Sequence, residues 1–431
     1  MIGTVAGARL VTATASDAPL VWIDVAIAGG AAADPIGREG LHRHAALLAR
    51  RGAGARDRAA FDDALDGLGA AIEVTIGRDA VTLSALCLTR NLAPVVALLA
   101  DVLAAPRFAD DEHARLTRET PQVLDEVRDD DGALATRWFD HEVCPGHPYG
   151  RTALGTEASM AALDRAAAQA LWRREVVAAN LIIGIAGDVD DATAARIAGQ
   201  LVAGLPTEPA PPPVVLDGVV GAGAPRLVVV DKADRTQAQL RFGHLGPRFG
   251  DDDTAAMLAL ETGFGGMFSA RLMQEIRVKR GWSYGAGCAL RRSRGRHWFE
   301  MWMATGIDVA GPACRLTHDL YAALADDGLT DAELTLARSY LVGSLPFHLA
   351  TARQRMQLAM RDALFGLPIG YTAGLPGRVA QLSVDDVRAA ARRHLRPAEL
   401  VTVAVTTAAI ARPGFAAAGV GDLREVAFDG Y

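Results

Sequence analysis

Cysteine is scarce in this sequence: four in 431 residues, Cys87, Cys144, Cys288 and Cys314, with no CxxC pair among them. That spacing argues against a disulfide framework or a cysteine metal cluster. It leaves four small apolar side chains expected in buried positions of a reducing compartment. Aromatic residues make up only 6%, so the cores have to be built from Ala, Leu and Val. No run of about 18 apolar residues occurs, which argues against a membrane-spanning helix. The opening MIGTVAGARLVTATASDAP has no charged start followed by an apolar stretch, so no signal peptide is expected. A soluble cytoplasmic chain with no membrane partner follows from these absences. Positive charge is also in deficit, with a formal net charge of −7, which argues against nucleic acid as the main partner. The local cluster Arg291, Arg292, Arg294 and Arg296 reads first as a solvated loop and second as a grip on acidic ligands.

Half of the residues are apolar, a globular composition, and the length suits roughly two to four domains. The clearest boundary is GLPTEPAPPPVVLDGVVGAGAP, where five prolines between Pro206 and Pro213 precede a Gly/Ala stretch; such a segment forms a stiff connector. It separates an N-terminal domain at 1–204 from a C-terminal domain at 226–431, with the linker at 205–225. The halves resemble each other. LDRAAAQALWRREVVAANLIIGIAGDV from Leu163 lies without a gap over LSVDDVRAAARRHLRPAELVTVAVTTA from Leu382. In both, an acidic start opens an Ala-rich helix that leads through a turn to an apolar strand. A second pair, ADDEHARLTRE from Ala109 and TDAELTLARSY from Thr330, falls at nearly the same offset, which points to an internal duplication. Strands at Val21–Gly29, Ile72–Leu88 and Leu181–Gly187 alternate with helical stretches at Pro94–Leu103 and Ala114–Val127. The second half repeats the theme with RLVVVD, AQLRFGHLG and HWFEMWMATG. The expected fold class is α+β: two homologous domains, each a mostly antiparallel sheet with helices packed on one face.

The most informative segment is GFGGMFSARLMQEIRVKRGWSYGAGC, from Gly263 to Cys288. A Gly-rich turn enters a helix whose apolar residues Phe268, Leu272 and Ile276 are spaced by four, and Gly281 suits a left-handed helix cap. The turn lacks the Lys-Ser/Thr pair of a phosphate loop and the GxGxxG spacing of a dinucleotide site. The segment resembles the second-domain signature of the insulinase/pitrilysin-type (inverzincin) metallopeptidases, a group that includes mitochondrial processing peptidase. It carries Gly265-Gly266, then Ser269-Ala270-Arg271-Leu272, then Arg277-Val278-Lys279-Arg280-Gly281-Trp282-Ser283-Tyr284, with Trp282 where the family has Leu. GGAAADPIGREGL (Gly29–Leu41), HPYGRTALGT (His147–Thr156) and DKADRTQAQLRFGH (Asp231–His244) are similar to further family stretches, so the resemblance spans nearly the whole chain. It implies that Arg277 and Tyr284 face the scissile carbonyl of a peptide. It also implies that Gly265, Gly266, Ser269 and Gln237 help to hold substrate. A guanidinium and a phenolic donor suit an oxygen that gains negative charge during attack.

What the resemblance also implies is a His-x-x-Glu-His helix, and this sequence does not have one. After Gly40-Leu41 it reads His42-Arg43-His44-Ala45-Ala46-Leu47-Leu48, which puts Arg43, Ala46 and Leu47 at the two histidines and the general base. His42 and His44, two apart on a helix, point about 200° away from each other and cannot chelate one ion. Glu126 sits near the place of the third family ligand, with Glu119 the less favoured choice; without the imidazoles its reading is a solvated helix carboxylate. HEVCPGH (His141–His147) has the wrong spacing for a zinc helix and is broken by Pro145-Gly146, so it reads as a packing loop. No metal is therefore expected in this chain.

A chain that keeps the Arg/Tyr pair and lacks the zinc helix resembles the non-zinc subunit of the family's two-chain members. The resemblance implies a homologous HxxEH-bearing partner that supplies zinc and general base, a clamshell closing on a peptide substrate, and inactivity of this chain alone. The alternative is an inert scaffold subunit similar to the core proteins of the respiratory bc complex.

Overall fold

Each half of the chain supplies one six-stranded sheet, and the strands follow the apolar patterning of the sequence. The computed structural model describes residues 2–216 and 223–430; of the linker expected at 205–225, residues 217–222 lie outside the described residues. The chain divides into two compact units: Met1–Leu124 with Arg151–Val215 and Pro346–Ala373, and Asp125–Gly150 with Leu216–Leu345 and Gly374–Tyr431.

In the first unit the strands are β1 (Ile2–Val5), β2 (Ala8–Thr14), β3 (Leu20–Ala28), β4 (Ala71–Ile76), β5 (Ala80–Leu88) and β6 (Leu181–Gly187), in the order β1-β2-β6-β3-β5-β4. Only β2 and β6 pair in parallel. Strand β6, LIIGIAG, is apolar throughout because it is buried at every position, while β4 at the edge alternates between exposed and covered residues. Along β3 the side chains divide with period two. Val21, Ile23, Val25 and Ile27 join a core that includes residues of helices Leu41–Arg50, Leu92–Ala104, Arg165–Glu175 and Asp191–Val202. Trp22 and Ala26 face the other way, where Val11, Ile182 and Ala186 meet Met356 and Met360 of helix Ala352–Leu364. Buried Asp24, on that face, accepts a hydrogen bond from Gln357 Nε2 at 2.9 Å.

The second unit holds β7 (Arg226–Asp231), β8 (Gln237–Arg248), β9 (Ser283–Leu290), β10 (Arg296–Gly306), β11 (Val401–Thr406) and β12 (Asp422–Ala427), ordered β12-β7-β11-β8-β10-β9. Its β7 pairs in parallel with both β12 and β11, and the other neighbours are antiparallel. Strand β8 again separates two faces. Phe242 and His244 meet His318 and Tyr321 of helix Ala310–Asp327, whereas Arg241 and Gly243 meet Thr136 and Phe139 of helix Asp131–Val143.

Internal duplication is visible in the topology: β2-β6-β3-β5-β4 corresponds to β7-β11-β8-β10-β9. Helices Arg165–Glu175 and Val384–His394, aligned by sequence, each have 11 residues and each lead through a single 3-10 turn into the central strands β6 and β11. The sequence placed helices on one face of each sheet and divided the chain linearly at the linker. Here the second face of each sheet carries one helix drawn from the opposite half of the chain, Ala352–Leu364 in the first unit and Asp131–Val143 in the second. The reason is burial: a sheet with an apolar residue on both sides of its central strands needs cover on both.

The four cysteines are buried and form no disulfide, as their scatter suggested. The arginine cluster is more structural than a solvated loop: Arg291 pairs with Glu300 at 2.6 Å and Arg296 donates to the carbonyls of Gly246 and Leu245. Among the described residues no helix is long and apolar enough to cross a membrane.

Candidate functional site

In the second unit, helix Thr254–Glu261 runs on into a π-helical turn, Thr262–Gly266, and a second π turn follows at Met273–Val278. Between them Met267 is extended and Phe268 and Ser269 form a turn, so the segment is not one continuous helix. Leu272 and Ile276 are fully buried, as expected, but Phe268 is 61% exposed. Gly265 is required by packing: a Cβ there would lie 2.6 Å from the backbone nitrogen of Cys288 on β9. Gly281 has φ of +65° and closes the turn, its N–H donating to Arg277 O while Trp282 N–H reaches Ile276 O.

This path brings Arg277 between two rings. Its guanidinium lies 4.5 Å from the centroid of Tyr284 and 5.2 Å from that of Phe268, a cation–π arrangement. Tyr284 is 87% exposed. Among the described residues no carboxylate lies within ion-pair distance of Arg277. The neighbouring cations differ: Arg280 pairs with Glu275 at 2.7 Å, and Arg271 holds Glu333 at 2.6 Å and stacks on Phe264. Ser269 is exposed and Gly266 half-buried beside it. Gln237 is exposed at the start of β8; the register sets it opposite Gly306 and sets Ser283 opposite Thr305, so Gln237 and Tyr284 lie at the same end of the sheet. Phe268 was not singled out by the sequence as a partner of Arg277, because only the break in the helix at residues 267–270 brings the ring there.

The helix that would carry a metal site is Leu41–Arg50 of the first unit. Asp34 builds its entrance, accepting from Gly40 N (2.8 Å), His42 N (2.9 Å) and the His42 ring nitrogen Nδ1 (2.6 Å). The loop Arg151–Thr156 supports the same entrance. Arg151 donates to the carbonyls of Asp34 and Ala32, and Gly155, with φ of +83°, lies against Glu39 O. Two of the stretches picked out in the sequence therefore meet in space.

His42 and His44 diverge and take different partners. His44 Nε2 meets His113 Nδ1 at 2.8 Å, on helix Asp110–Asp129. Burial, then the charges of His113, Arg43 and Arg51, push the His44 imidazole down to about 4. Arg43 reaches Thr120 Oγ1 at 3.5 Å, Ala46 is fully buried and Leu47 partly so. Glu119 pairs with Arg51 and Arg115, and Glu126 is exposed. Zinc does not fit this set: a guanidinium and two hydrocarbon side chains offer no lone pair to a metal. Among the described residues no group of three or more His, Cys, Asp or Glu side chains is arranged to hold one. The HEVCPGH cluster is structural. Glu142 closes helix Asp131–Val143 against Arg226, Arg424 and His141, and although burial raises its carboxyl, His141 and Arg424 outweigh that and hold it low.

A duplicated α+β chain with a half-buried Arg277 beside an exposed Tyr284 and no His-x-x-Glu-His helix defines a metallopeptidase-type protein without its metal site. Residues 9–157 match the family described as insulinase (peptidase family M16), and residues 162–341 match the peptidase M16 inactive domain. A protein described as an uncharacterized zinc protease of Mycobacterium tuberculosis is 30% identical over 350 residues, covering 78% of each chain. The non-peptidase homolog YmxG of Helicobacter pylori is 21% identical over 87% of this chain and 86% of its own. A crystal structure of a peptidase M16 inactive domain from Pseudomonas fluorescens shares the fold with a TM-score of 0.88, at 24% identity, over 94% of this chain and 97% of that one. This chain belongs to the insulinase family, peptidase family M16.

Proposed function

We propose that the chain is the substrate-binding, non-zinc subunit of a heterodimeric zinc endopeptidase that cuts peptides or unfolded segments. Zinc and general base come from a homologous partner bearing His-x-x-Glu-His. In this reading Arg277 and Tyr284 face the scissile carbonyl and stabilise the oxyanion that develops on it, while Gly265, Gly266, Ser269 and Gln237 help to seat the peptide backbone. The observation that carries the reading is the half-buried Arg277 guanidinium beside the exposed ring of Tyr284. It is held between two rings, with no carboxylate within ion-pair distance among the described residues, and none of these is grouped to hold a metal ion. A donor kept charged and accessible suits a carbonyl that becomes negative only during attack. Four buried cysteines that form no disulfide are consistent with work in the reducing cytoplasm.

The test is reconstitution with the HxxEH-bearing chain and a fluorogenic peptide. Hydrolysis is expected only from the mixture, and Arg277→Ala or Tyr284→Ala in this chain is expected to lower kcat by about 10²–10³. Full activity of the doubly substituted mixture refutes the roles given to both residues. The likeness to a non-peptidase homolog favours one other reading, an inert assembly subunit. In that case the purified chain joins a complex whose peptidase activity, if any, is indifferent to both substitutions.

A further inference from the structure

A cavity of about 180 Å³ opens in the first unit where helices Leu92–Ala104 and Arg165–Glu175 meet the start of the Pro-rich linker. Its apolar lining includes Leu103, Phe108, Trp172, Val176 and Leu205. Phe108 holds a left-handed backbone conformation, φ +46°, which bulky residues adopt only where their surroundings enforce it. The Trp172 ring nitrogen Nε1 donates to Leu103 O at 3.1 Å, which leaves the indole as apolar surface. An apolar cavity of about 150 Å³ takes a benzene ring, so this one has room for a pyrrolidine ring and some of its backbone. Gln169 and Arg173, four apart on one helix, supply the polar part of the lining.

The linker run PTEPAPPP, from Pro206 to Pro213, lies outside helix and strand, and residues 207–210 are exposed. Its composition favours a polyproline II helix, which sets Pro206, Pro209 and Pro212 along one edge and leaves the backbone carbonyls open to donors. Aromatic-lined grooves take up such a helix at low entropic cost, because it is already formed. Pro206 itself lies at the cavity. A stiff run carries Pro209 about 9 Å onward from there, so the chain does not turn back to fill its own cavity. An occupant from a second molecule is needed. Because run and cavity adjoin, a two-fold axis beside them sets each run against the cavity of the other copy. The charges agree: Arg173 and Glu208 are both exposed, and among the described residues neither has an ion-pair partner. We propose that two copies of this chain pair about such an axis, each seating its Pro209–Pro213 run in the other's cavity. Arg173 then faces Glu208 of the second copy, and Gln169 donates to a proline carbonyl.

Sedimentation equilibrium of the full chain at low salt tests this, and a monomer–dimer equilibrium is expected. Arg173→Glu and Glu208→Arg are each expected to raise the dimer dissociation constant about tenfold, since the symmetry turns two attractions into two repulsions. Both positions are exposed, so the thermal midpoint of the monomer stays where it was. Combining the two reversals in one chain restores the dimer. A peptide of residues 206–213 added in excess dissociates the dimer of the unsubstituted chain, and the same peptide carrying Glu208→Arg does so far less. A chain that stays monomeric up to about 1 mM overturns the proposal, as does a dimer that is indifferent to both reversals or to the peptide. Peptide binding by a chain that never dimerises overturns the self-pairing and assigns the cavity to a Pro-rich run of another protein. None of these measurements involves Arg277, Tyr284 or a zinc-bearing partner, so failure here and failure of the peptidase reading are separable.

Discussion

Individual side chains in this protein take their roles from what surrounds them more than from their type. His42 and His44 lie in one turn of helix, yet the first serves Asp34 at the helix entrance and the second is a neutral imidazole against His113. His44, His244 and His318 are all pushed down to about 4, with burial the largest cause in each. An unfolded histidine titrates near 6.5. Above that pH both states are neutral and these residues have no effect on stability. Between about 6.5 and about 4 the unfolded chain takes up protons that the folded chain refuses, so stability falls with acid, by up to about 1.4 kcal/mol per pH unit for each histidine. Urea midpoints measured from pH 7 down to pH 4 are expected to decline steadily, and His318→Gln is expected to flatten the decline. A flat profile in the unsubstituted protein contradicts the neutral, buried state of these rings.

At the scale of elements, the Gly263–Cys288 segment shows how packing and function share one stretch. Gly265 was expected to help hold substrate; its position also lets the π turn approach the backbone of β9. Gly265→Ala forces the new methyl group to 2.6 Å from Cys288 N and is expected to cost about 2–3 kcal/mol, read by chemical denaturation. Gly266→Ala meets nothing nearer than 3.3 Å and is expected to cost under about 1 kcal/mol. Equal destabilisation by the two removes the packing explanation for Gly265. The same segment explains why Phe268 was misjudged. Its spacing to Leu272 and Ile276 fits an ordinary helix, but the chain is extended at Met267 and turns at Phe268 before the next helical stretch begins, which leaves the ring on the surface beside Arg277.

For the molecule as a whole, the exchange of helices has a measurable consequence. The strands of the first unit all lie before the linker, but the cover of one sheet face, Met356 and Met360 against Val11, Ile182 and Ala186, comes from residues 352–364. A fragment of residues 1–124 and 151–216, joined by a short flexible linker so that the second unit's residues 125–150 are left out, therefore exposes an apolar sheet face and the buried carboxylate of Asp24, and is expected to aggregate. Joining residues 346–373 to that fragment through a flexible linker is expected to restore a soluble, cooperatively melting unit, measured by light scattering and circular dichroism. A linked fragment without residues 346–373 that is monomeric and melts as sharply as the extended one sinks this account of the fold.

Sequence alone determined the parts whose cause is local or periodic. The apolar runs of β6 and β11, the helices before them capped by Asp164 and Ser383, the doubled pattern, the lack of a metal-ligating turn at residues 43–47 and the Arg277/Tyr284 motif are all written in spacing and residue type. Other features depend on which distant segments come to rest on one another. Asp34 and Arg151 meet at the helix entrance, Phe268 and Tyr284 enclose Arg277, Arg43 faces a threonine instead of an acid, and a helix from each half covers a sheet of the other. Contacts of that kind arise from burial, which is non-directional and indifferent to order along the chain, so no pattern in the linear sequence records them.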